Sequence, residues 1–538
     1  MRKKIPIGVS DFDKMIRENY FFADKTLFIK AIIEAEDTET ILIPRPRRFG
    51  KTLNLSMLKY FFTIENAEKN RELFKGLLIE NEPTVMALQG KIPVIHLSFK
   101  DVKELDWDRC YKKAASVVLS VFGDFEYLLK MSDIGELDKN KLDKLFTFKA
   151  EQGDIETSLL LLTRLLHKYH GVKPIVLIDE YDQPIIGAHT WGYYDEGITF
   201  FRNLYSAVLK DNPHLEKAVM TGILRVAKES IFSGLNNLKV DTIIRNQFPY
   251  FGLTEEDVEG MLTHFGMNYE LDEVKEWYNG YLFGTEQIYN PWSIICFIDT
   301  DELKPHWVNT SSNDLIRESL STISQGSYEN LIELINGEDI EIVLEENISM
   351  DMLDNPEVIW NLMLFSGYLS LAPDKKVRFV NREVREFYIA EFKRLAGYDS
   401  NKFNGLIKYL LAKDIKNFKG LLGEMFLKAV SFYDVGTEEK YYHNLMLGFS
   451  FGLEEWYIIK SNREYGTGRV DLMLKSKDGK YPDYIFEFKV SKKRENLETD
   501  AVNALNQIDE KQYGVELHNP VKIGMSFFGK EIEILVGM

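Results

Sequence analysis

Two cysteines in 538 residues, Cys110 and Cys296, lie far apart and suit a reducing compartment better than a disulfide framework. Basic residues are in deficit: 66 Lys and Arg against 84 Asp and Glu leave a formal charge of −18. That balance argues against a surface coated in positive charge for nucleic acid, while leaving room for local basic patches and for carboxylate sites neutralised by Mg²⁺. No apolar run approaches the roughly 18 residues of a membrane span. The longest candidate, Ser158–Leu166, is short and interrupted by Thr163 and Arg164. The opening MRKKIPIGVSDFDK is charged and has no apolar signal core. Repeats, low-complexity tracts and Pro/Gly/Ser-rich linkers are also missing. These absences describe a cytoplasmic chain with no membrane partner. Hydrophobic residues at 45% and aromatics at 13% are ample for packed cores, so disorder is not the default. Length alone suggests roughly three to four domains.

The stretch Thr40–Leu58, TILIPRPRRFGKTLNLSML, has an order that suits the phosphates of a nucleotide. An apolar strand runs into a basic loop, and Gly50-Lys51-Thr52 opens an amphipathic helix. Backbone N–H groups of Arg47, Arg48, Phe49 and Gly50 and of the helix start can face an anion. Lys51 can reach terminal phosphates and Thr52 can place a hydroxyl on Mg²⁺. The first glycine of GxxxxGK[ST] would fall at position 45, where this chain has Arg45. Pro44 and Pro46 restrict the backbone and can stiffen the turn instead. Arg47 and Arg48 add charge beside the phosphates, the alternative for them being a solvated basic loop.

Further apolar strands follow at Lys91–Phe99, Lys173–Ile185 and Lys217–Val226, alternating with helical stretches at 107–130, 140–169 and 198–210. This alternation predicts a mostly parallel α/β sheet, with ligands at the carboxyl ends of its strands. Gly50–Thr52, Asp179-Glu180 and Thr221 all fall at such ends. Four apolar residues followed by Asp-Glu complete the pattern of a nucleotide hydrolase. Asp179 would hold Mg²⁺ and Glu180 would orient or deprotonate the attacking water. Alone, Asp-Glu after a strand reads equally as helix capping. Thr221 as a γ-phosphate sensor and Arg225 as a charge-stabilising finger are weaker assignments.

From about residue 252 the texture changes to short helices and aromatic turns. Thr254, three residues before Asp257, signals a helix start. Tyr278, Tyr281, Phe283, Tyr289 and Trp292 read as packing rather than as a platform for stacked bases. The predicted division is 1–250, an α/β nucleotide domain; 251–400, a mainly helical middle domain; and 401–538, a C-terminal domain that opens with helix at 401–432.

In Tyr465–Val490, Val470, Leu472 and Leu474 alternate with Arg469, Asp471 and Met473, which is strand periodicity. Asp478-Gly479 signals a hairpin turn. On the second strand Ile485, Glu487 and Lys489 share one face, and pairing can bring Asp471 beside them. Two carboxylates and a lysine at a sheet edge suit metal-dependent phosphodiester hydrolysis. In that reading Asp471 and Glu487 bind Mg²⁺ and Lys489 positions the nucleophile; the alternative is a hairpin with a surface ion pair. Glu439 on the preceding helical stretch could supply a third acid. Gln507 and Tyr513 could contact substrate, and Lys492, Lys493 and Arg494 offer a local basic patch for a phosphate backbone. His443 reads as packing.

Asp471 with Glu487-Phe488-Lys489, an upstream helical Glu and a downstream Gln and Tyr resemble the PD-(D/E)XK nuclease superfamily. The whole chain resembles bacterial AAA-ATPase-like proteins that carry such a domain at the C-terminus. The resemblance runs through IPIGVSDF, YFFADKT, IPRPRRFGKT, VLIDEYDQPI, WYNGYLFG and YNPWS, then through EEKYYHNLMLGF, GTGRVDLML, IFEFKV and ALNQI. Within that family Arg45 is no departure. The resemblance implies an α/β chain of three parts: a P-loop NTPase parallel sheet, a mainly helical middle domain and a C-terminal α/β restriction-endonuclease-like domain. It implies ATP and Mg²⁺ as cofactors and a nucleic acid, DNA ahead of RNA, as partner. ATPases of this kind often form homo-oligomers. The function expected is an ATP-regulated, Mg²⁺-dependent nuclease in defence or repair. The rival is a nucleotide-driven switch or nucleic-acid-binding ATPase with a catalytically silent nuclease fold. A third outcome is ATP bound but never hydrolysed.

Overall fold

The structure is a computed structural model. It describes residues 2–147, 149–225, 237–308, 330–331, 333–335, 337–346, 358–395, 400–429, 442, 446, 449–453, 456–465, 468–513, 517 and 519–537. The chain forms two compact units. One comprises Met1–Ser311, Ile342–Leu371 and Val380–Glu383; the other comprises Ser312–Glu341, Ala372–Phe379 and Val384–Met538.

The first unit is built on five strands: β1 (Thr40–Pro44), β2 (Val94–Ser98), β3 (Ile175–Asp179), β4 (Lys217–Gly222) and β5 (Leu238–Val240). They pair in parallel in the order β2-β3-β4-β1-β5. Every residue of β1, β3 and β4 is buried, which explains their continuous apolar runs. The loop helix Lys51–Phe62 packs against β2, β3 and β4. Ser98 lies in register with Asp179 and Ile43 with Thr221, so the carboxyl ends of four strands come level at one edge.

The same unit contains the helix Glu255–Phe265, whose capping box joins Thr254 and Asp257 as the spacing predicted. A hairpin of β6 (Tyr281–Phe283) and β7 (Glu286–Ile288) follows, then the helix Pro291–Thr300 capped by Asn290. Tyr278, Tyr281, Phe283 and Tyr289 are buried, which agrees with packing. Trp292 is half-buried under the Arg48 guanidinium, 4.3 Å from its ring centre. Three short strands come next in sequence: β8 (Ile340–Glu341), β9 (Leu369–Leu371) and β10 (Lys376–Phe379).

The second unit contains a mixed sheet of β11 (Tyr457–Tyr465), β12 (Gly468–Ser476), β13 (Tyr484–Val490), β14 (Val521–Phe528) and β15 (Glu531–Gly537), paired in that order. Only β13 and β14 run parallel, joined through the helix Leu497–Glu510.

Some helical stretches are more broken than their periodicity predicts. Among the described residues the stretch 140–169 is three pieces, Glu136–Phe146, Gln152–Glu156 and Ser158–His170, and a reciprocal cap between Glu151 and Asp154 restarts the helix. The stretch 401–432 is, among the described residues, a pair of helices, Ser400–Leu411 and Ile415–Ala429. Left-handed Lys413 (φ 56°) makes the turn. Among the described residues no helix is long and apolar enough to cross a membrane.

Glu383 is a buried carboxylate that accepts hydrogen bonds from Ser293 Oγ (2.7 Å) and from the backbone N–H groups of His306 and Trp307. Burial pushes its carboxyl up to about 7, against those donors. The fold therefore keeps a proton that the unfolded chain releases above the ordinary value of 4.5. Stability should fall as pH rises from about 4.5 through about 7. Denaturant melts of wild type and Glu383→Gln across that window check this, with the variant expected to show the flatter profile.

Candidate active sites

The first site begins where β1 ends. The N–H of Arg45 continues the pairing by donating to Gly222 O (3.0 Å), and the chain then turns through left-handed Arg48 (φ 70°) and Gly50 (φ 82°) into the loop helix. A left-handed arginine is uncommon, and stacking on Trp292 holds it. Lys51 is buried, and its ammonium donates to the loop's own carbonyls, Arg45 O and Pro46 O, each at 2.9 Å. Burial pushes this ammonium down, while Glu180, Asp179 and Asp182 oppose the shift. Arg47 is half-buried, and Asn290 donates to its carbonyl at 3.4 Å. The Phe49 ring is turned into the core against Tyr281 and Phe283, so this residue offers the site its backbone alone.

Asp179, fully buried at the end of β3, gathers hydroxyls from three other elements. Thr52 Oγ1 donates to Oδ2 at 2.8 Å, Thr221 Oγ1 donates to Oδ1 at 2.7 Å, and Ser98 Oγ lies 3.5 Å from Oδ2. Hydroxyl and carboxylate oxygens converging at a strand end are the hard donor set that suits Mg²⁺. Glu180 follows in a left-handed conformation (φ 52°), and burial pushes its carboxyl up, with Lys51 opposing. An outlier of this kind beside a candidate site is strain that the surroundings must hold in place. Asp182, which the motif contained but to which sequence reasoning assigned no role, accepts from the N–H groups of Ile223 and Leu224, both at 2.8 Å. It thereby ties the end of β3 to the exit of β4. Arg225 lies 3.8 Å from Glu346 in an ion pair. Beside Gly50 an apolar cavity opens, lined by Pro6, Phe21, Leu53, Tyr250 and Ile295.

Arg45 takes a part that the sequence did not suggest. Sequence reasoning left the stiffness of the loop to its prolines. The structure shows a fully buried guanidinium paired with Asp241 at 2.7 Å and bonded to Asn246 Oδ1 and Pro44 O, both at 3.0 Å. No local pattern could have named Asp241, which lies 196 residues along the chain.

The second site lies on β12 and β13. Their pairing ends at Leu472 with Phe486, and one residue on Asp471 Oδ2 accepts the Phe488 N–H at 2.6 Å. The buried Glu487 accepts through Oε1 from Gln507 Nε2, and Lys489 Nζ donates to Gln507 Oε1 at 2.8 Å. Gln507 thus joins the acid and the lysine. Burial and then the Glu487 charge push the Tyr513 phenol up, while a hydrogen bond with Gln507 opposes them. The helix carrying Gln507 can come this close because β14 has Gly524 in register with Glu487. A Cβ at Gly524 would lie 2.3 Å from Ala501 O and 2.7 Å from Leu505 N.

Asp471 and Glu487 suit a hard divalent cation in donor type. Among the described residues no group of three or more His, Cys, Asp and Glu converges on a metal position. Glu439, the expected third acid, and His443 lie outside the described residues. Lys492 and Lys493 are exposed, Lys493 pairs with Glu495 at 3.4 Å, and Arg494 pairs with Glu531 at 2.8 Å. Two of the three cations in this patch are therefore matched by acids.

Residues 6–232 match the family model of a predicted AAA-ATPase, and residues 437–536 match that of the PD-(D/E)XK nuclease superfamily. A protein of Azotobacter chroococcum mcd 1, described as an uncharacterized protein in vnfD 5'region, is 26% identical over 544 residues, covering 95% of this chain and 93% of its own. The resemblance read from the motifs therefore stands for both ends of the chain.

Gly524→Ala should destabilise the chain by about 1–3 kcal/mol, because the added methyl meets backbone that must move. Urea unfolding of the variant against wild type measures the loss.

Proposed function

We propose that this chain, which joins an AAA-ATPase-like domain to a PD-(D/E)XK nuclease superfamily domain, is an ATP-regulated, Mg²⁺-dependent nuclease that hydrolyses phosphodiester bonds in DNA in the cytoplasm. The observation that carries the reading is the Glu487–Gln507–Lys489 network with Asp471 beside it. A surface ion pair needs no glutamine bridging its acid and its base, nor a buried acid. Asp471 and Glu487 would hold Mg²⁺, with Glu439 as a third ligand. The metal would supply a water of lowered pKa and offset phosphate charge. Lys489 orients the attacking oxygen, Gln507 keeps Lys489 at Glu487, and the exposed Lys492 and Lys493 meet the nucleic acid, while Tyr513, expected to contact substrate, is buried against Ile485 and Ile508.

At the other end the loop N–H groups, Lys51 and Thr52 hold the phosphates of ATP, with Asp179 and Thr52 as the Mg²⁺ side. Glu180, its carboxyl raised by burial, takes a proton from the attacking water. The apolar cavity beside Gly50 suits the base. In this reading residues 1–250 are the ATPase part, 251–400 the helical relay and 401–538 the nuclease part, and the chain assembles as a homo-oligomer.

A second reading, a nucleotide-driven switch whose nuclease fold only grips nucleic acid, is favoured by the net charge of −18 and by the acids matched to Lys493 and Arg494.

Cleavage of plasmid and single-stranded DNA with Mg²⁺ or Mn²⁺ separates the two. Asp471→Ala and Lys489→Ala should each lower the rate on the order of 10²-fold or more. Equal cleavage by both variants and wild type overturns the nuclease assignment. DNA-stimulated phosphate release with no cut under either metal establishes the switch. Glu180→Gln should lower phosphate release by roughly 10²-fold or more while leaving ATP binding in place. An unchanged rate removes Glu180 from the chemistry.

A further inference from the structure

We propose that Arg45 is a positioning residue of the nucleotide site, and that the glycine of the ordinary phosphate-loop motif would not serve in its place. The proposal rests on reading the loop as a nucleotide site. It goes beyond that reading by giving a task to the residue that departs from the motif.

The argument starts from two ends of one residue. The carbonyl of Arg45 receives the Lys51 ammonium at 2.9 Å, so the place of that ammonium depends on where the carbonyl sits. The side chain of Arg45 carries the opposite load. Its guanidinium has no solvent exposure and is held by Asp241 Oδ2 at 2.7 Å, by Asp241 O, by Asn246 Oδ1 at 3.0 Å and by Pro44 O at 3.0 Å. The rings of Phe251 and Phe283 stand 5.3 and 5.5 Å from its central carbon. A planar fork with donors on both arms can satisfy this set together, which an ammonium cannot.

Asp241 is itself fixed. Its N–H donates to Leu42 O at 2.9 Å, extending the pairing of β5 with β1. Its carboxylate accepts from the N–H groups of Gln247 (2.6 Å) and Phe248 (3.2 Å). The guanidinium therefore anchors the loop to a part of the fold tied to the sheet. Downstream, Gly252 N donates to Phe49 O at 3.2 Å and Asn54 Nδ2 donates to Tyr250 O at 3.0 Å, so the loop and residues 241–252 are joined on both sides of Lys51. A glycine at 45 would leave the carbonyl that places Lys51 held only by the neighbouring backbone bond to Gly222 O, and would leave Asp241 buried beside an empty fork position.

The test is a titration of the full chain with Mg²⁺ and a fluorescent ATP analogue, with phosphate-release kinetics on the same samples. Three variants form a series. Asn246→Gly removes one acceptor and suits the left-handed backbone there (φ 42°). Arg45→Lys keeps the charge and loses the fork. The double variant Arg45→Gly with Asp241→Asn restores the motif glycine without leaving a lone buried charge. Affinity should fall in that order, to roughly ten- to a hundredfold below wild type for the double variant. KM should rise while kcat stays within roughly threefold, because a mispositioned loop weakens binding before it alters the attacking water. Variants that melt cooperatively and bind as tightly as wild type overturn the proposal. If the two stronger variants do not fold, Asn246→Gly decides by the same criterion. A wild-type chain that binds no nucleotide overturns the nucleotide reading instead, and the two failures are thus told apart.

Discussion

A guanidinium sealed from water cannot be left unpaired, and around Arg45 that requirement organises the first unit. An isolated charge in a low-dielectric interior is so costly that the chain must deliver both a counter-charge and matching hydrogen-bond acceptors. For the two terminal nitrogens they come from Asp241, one residue past the short edge strand β5, from Asn246 and from Pro44 O, while Nε has no acceptor among the described residues. Meeting that demand fixes the edge of the sheet, the shape of the loop and the path of residues 241–252 together. The aromatic neighbours then close over it: Phe49 turns inward onto Tyr281 and Phe283, and Arg48 lies on Trp292. Arg45, Pro46 and Phe49 of the loop are consequently part of the interior, while Arg48 stays exposed.

The second unit assembles its polar site by another route. Where the ladder between β12 and β13 stops, the Asp471 carboxylate replaces the missing acceptor for Phe488 N–H, so a residue suited to a metal also completes a backbone bond. Glu487 and Lys489, two residues apart on one strand, are bridged by a neutral amide. Gln507 presents an oxygen to the ammonium and a nitrogen to the carboxylate, which uses both ends of its side chain. That geometry depends on backbone meeting backbone at Gly524, where no side chain fits.

Much of this was legible in the sequence, because the signals were local. Four buried strands show as apolar runs, Asp179-Glu180 ends one of them, and the Thr254–Asp257 cap follows from a spacing of three. The facing of Glu487 and Lys489 follows from a period of two. What stayed hidden depends on distant partners. Arg45 departs from GxxxxGK[ST], and its task is visible only with Asp241 beside it. The strands Val521–Phe528 and Glu531–Gly537 went unassigned because nothing nearby in sequence marks β14 as the parallel neighbour of β13. Helix breaks such as that at Glu151 are set by single side chains reaching back to backbone, which a hydrophobic period does not register.

Two of the three N–H donors of the Lys51 ammonium are engaged by Arg45 O and Pro46 O. Under the proposed nucleotide reading, a polyphosphate would meet the third donor directly and compete with two peptide carbonyls for the other two. At those two donors the attraction gained would be an exchange of partners, smaller than a fresh ion pair formed from solvent-facing groups. Long-range attraction of the anion would fall to the exposed Arg48, whose field reaches solution and weakens with added salt. Attraction and grip would thus fall to different side chains: the first sensitive to ionic strength, the second shielded from it.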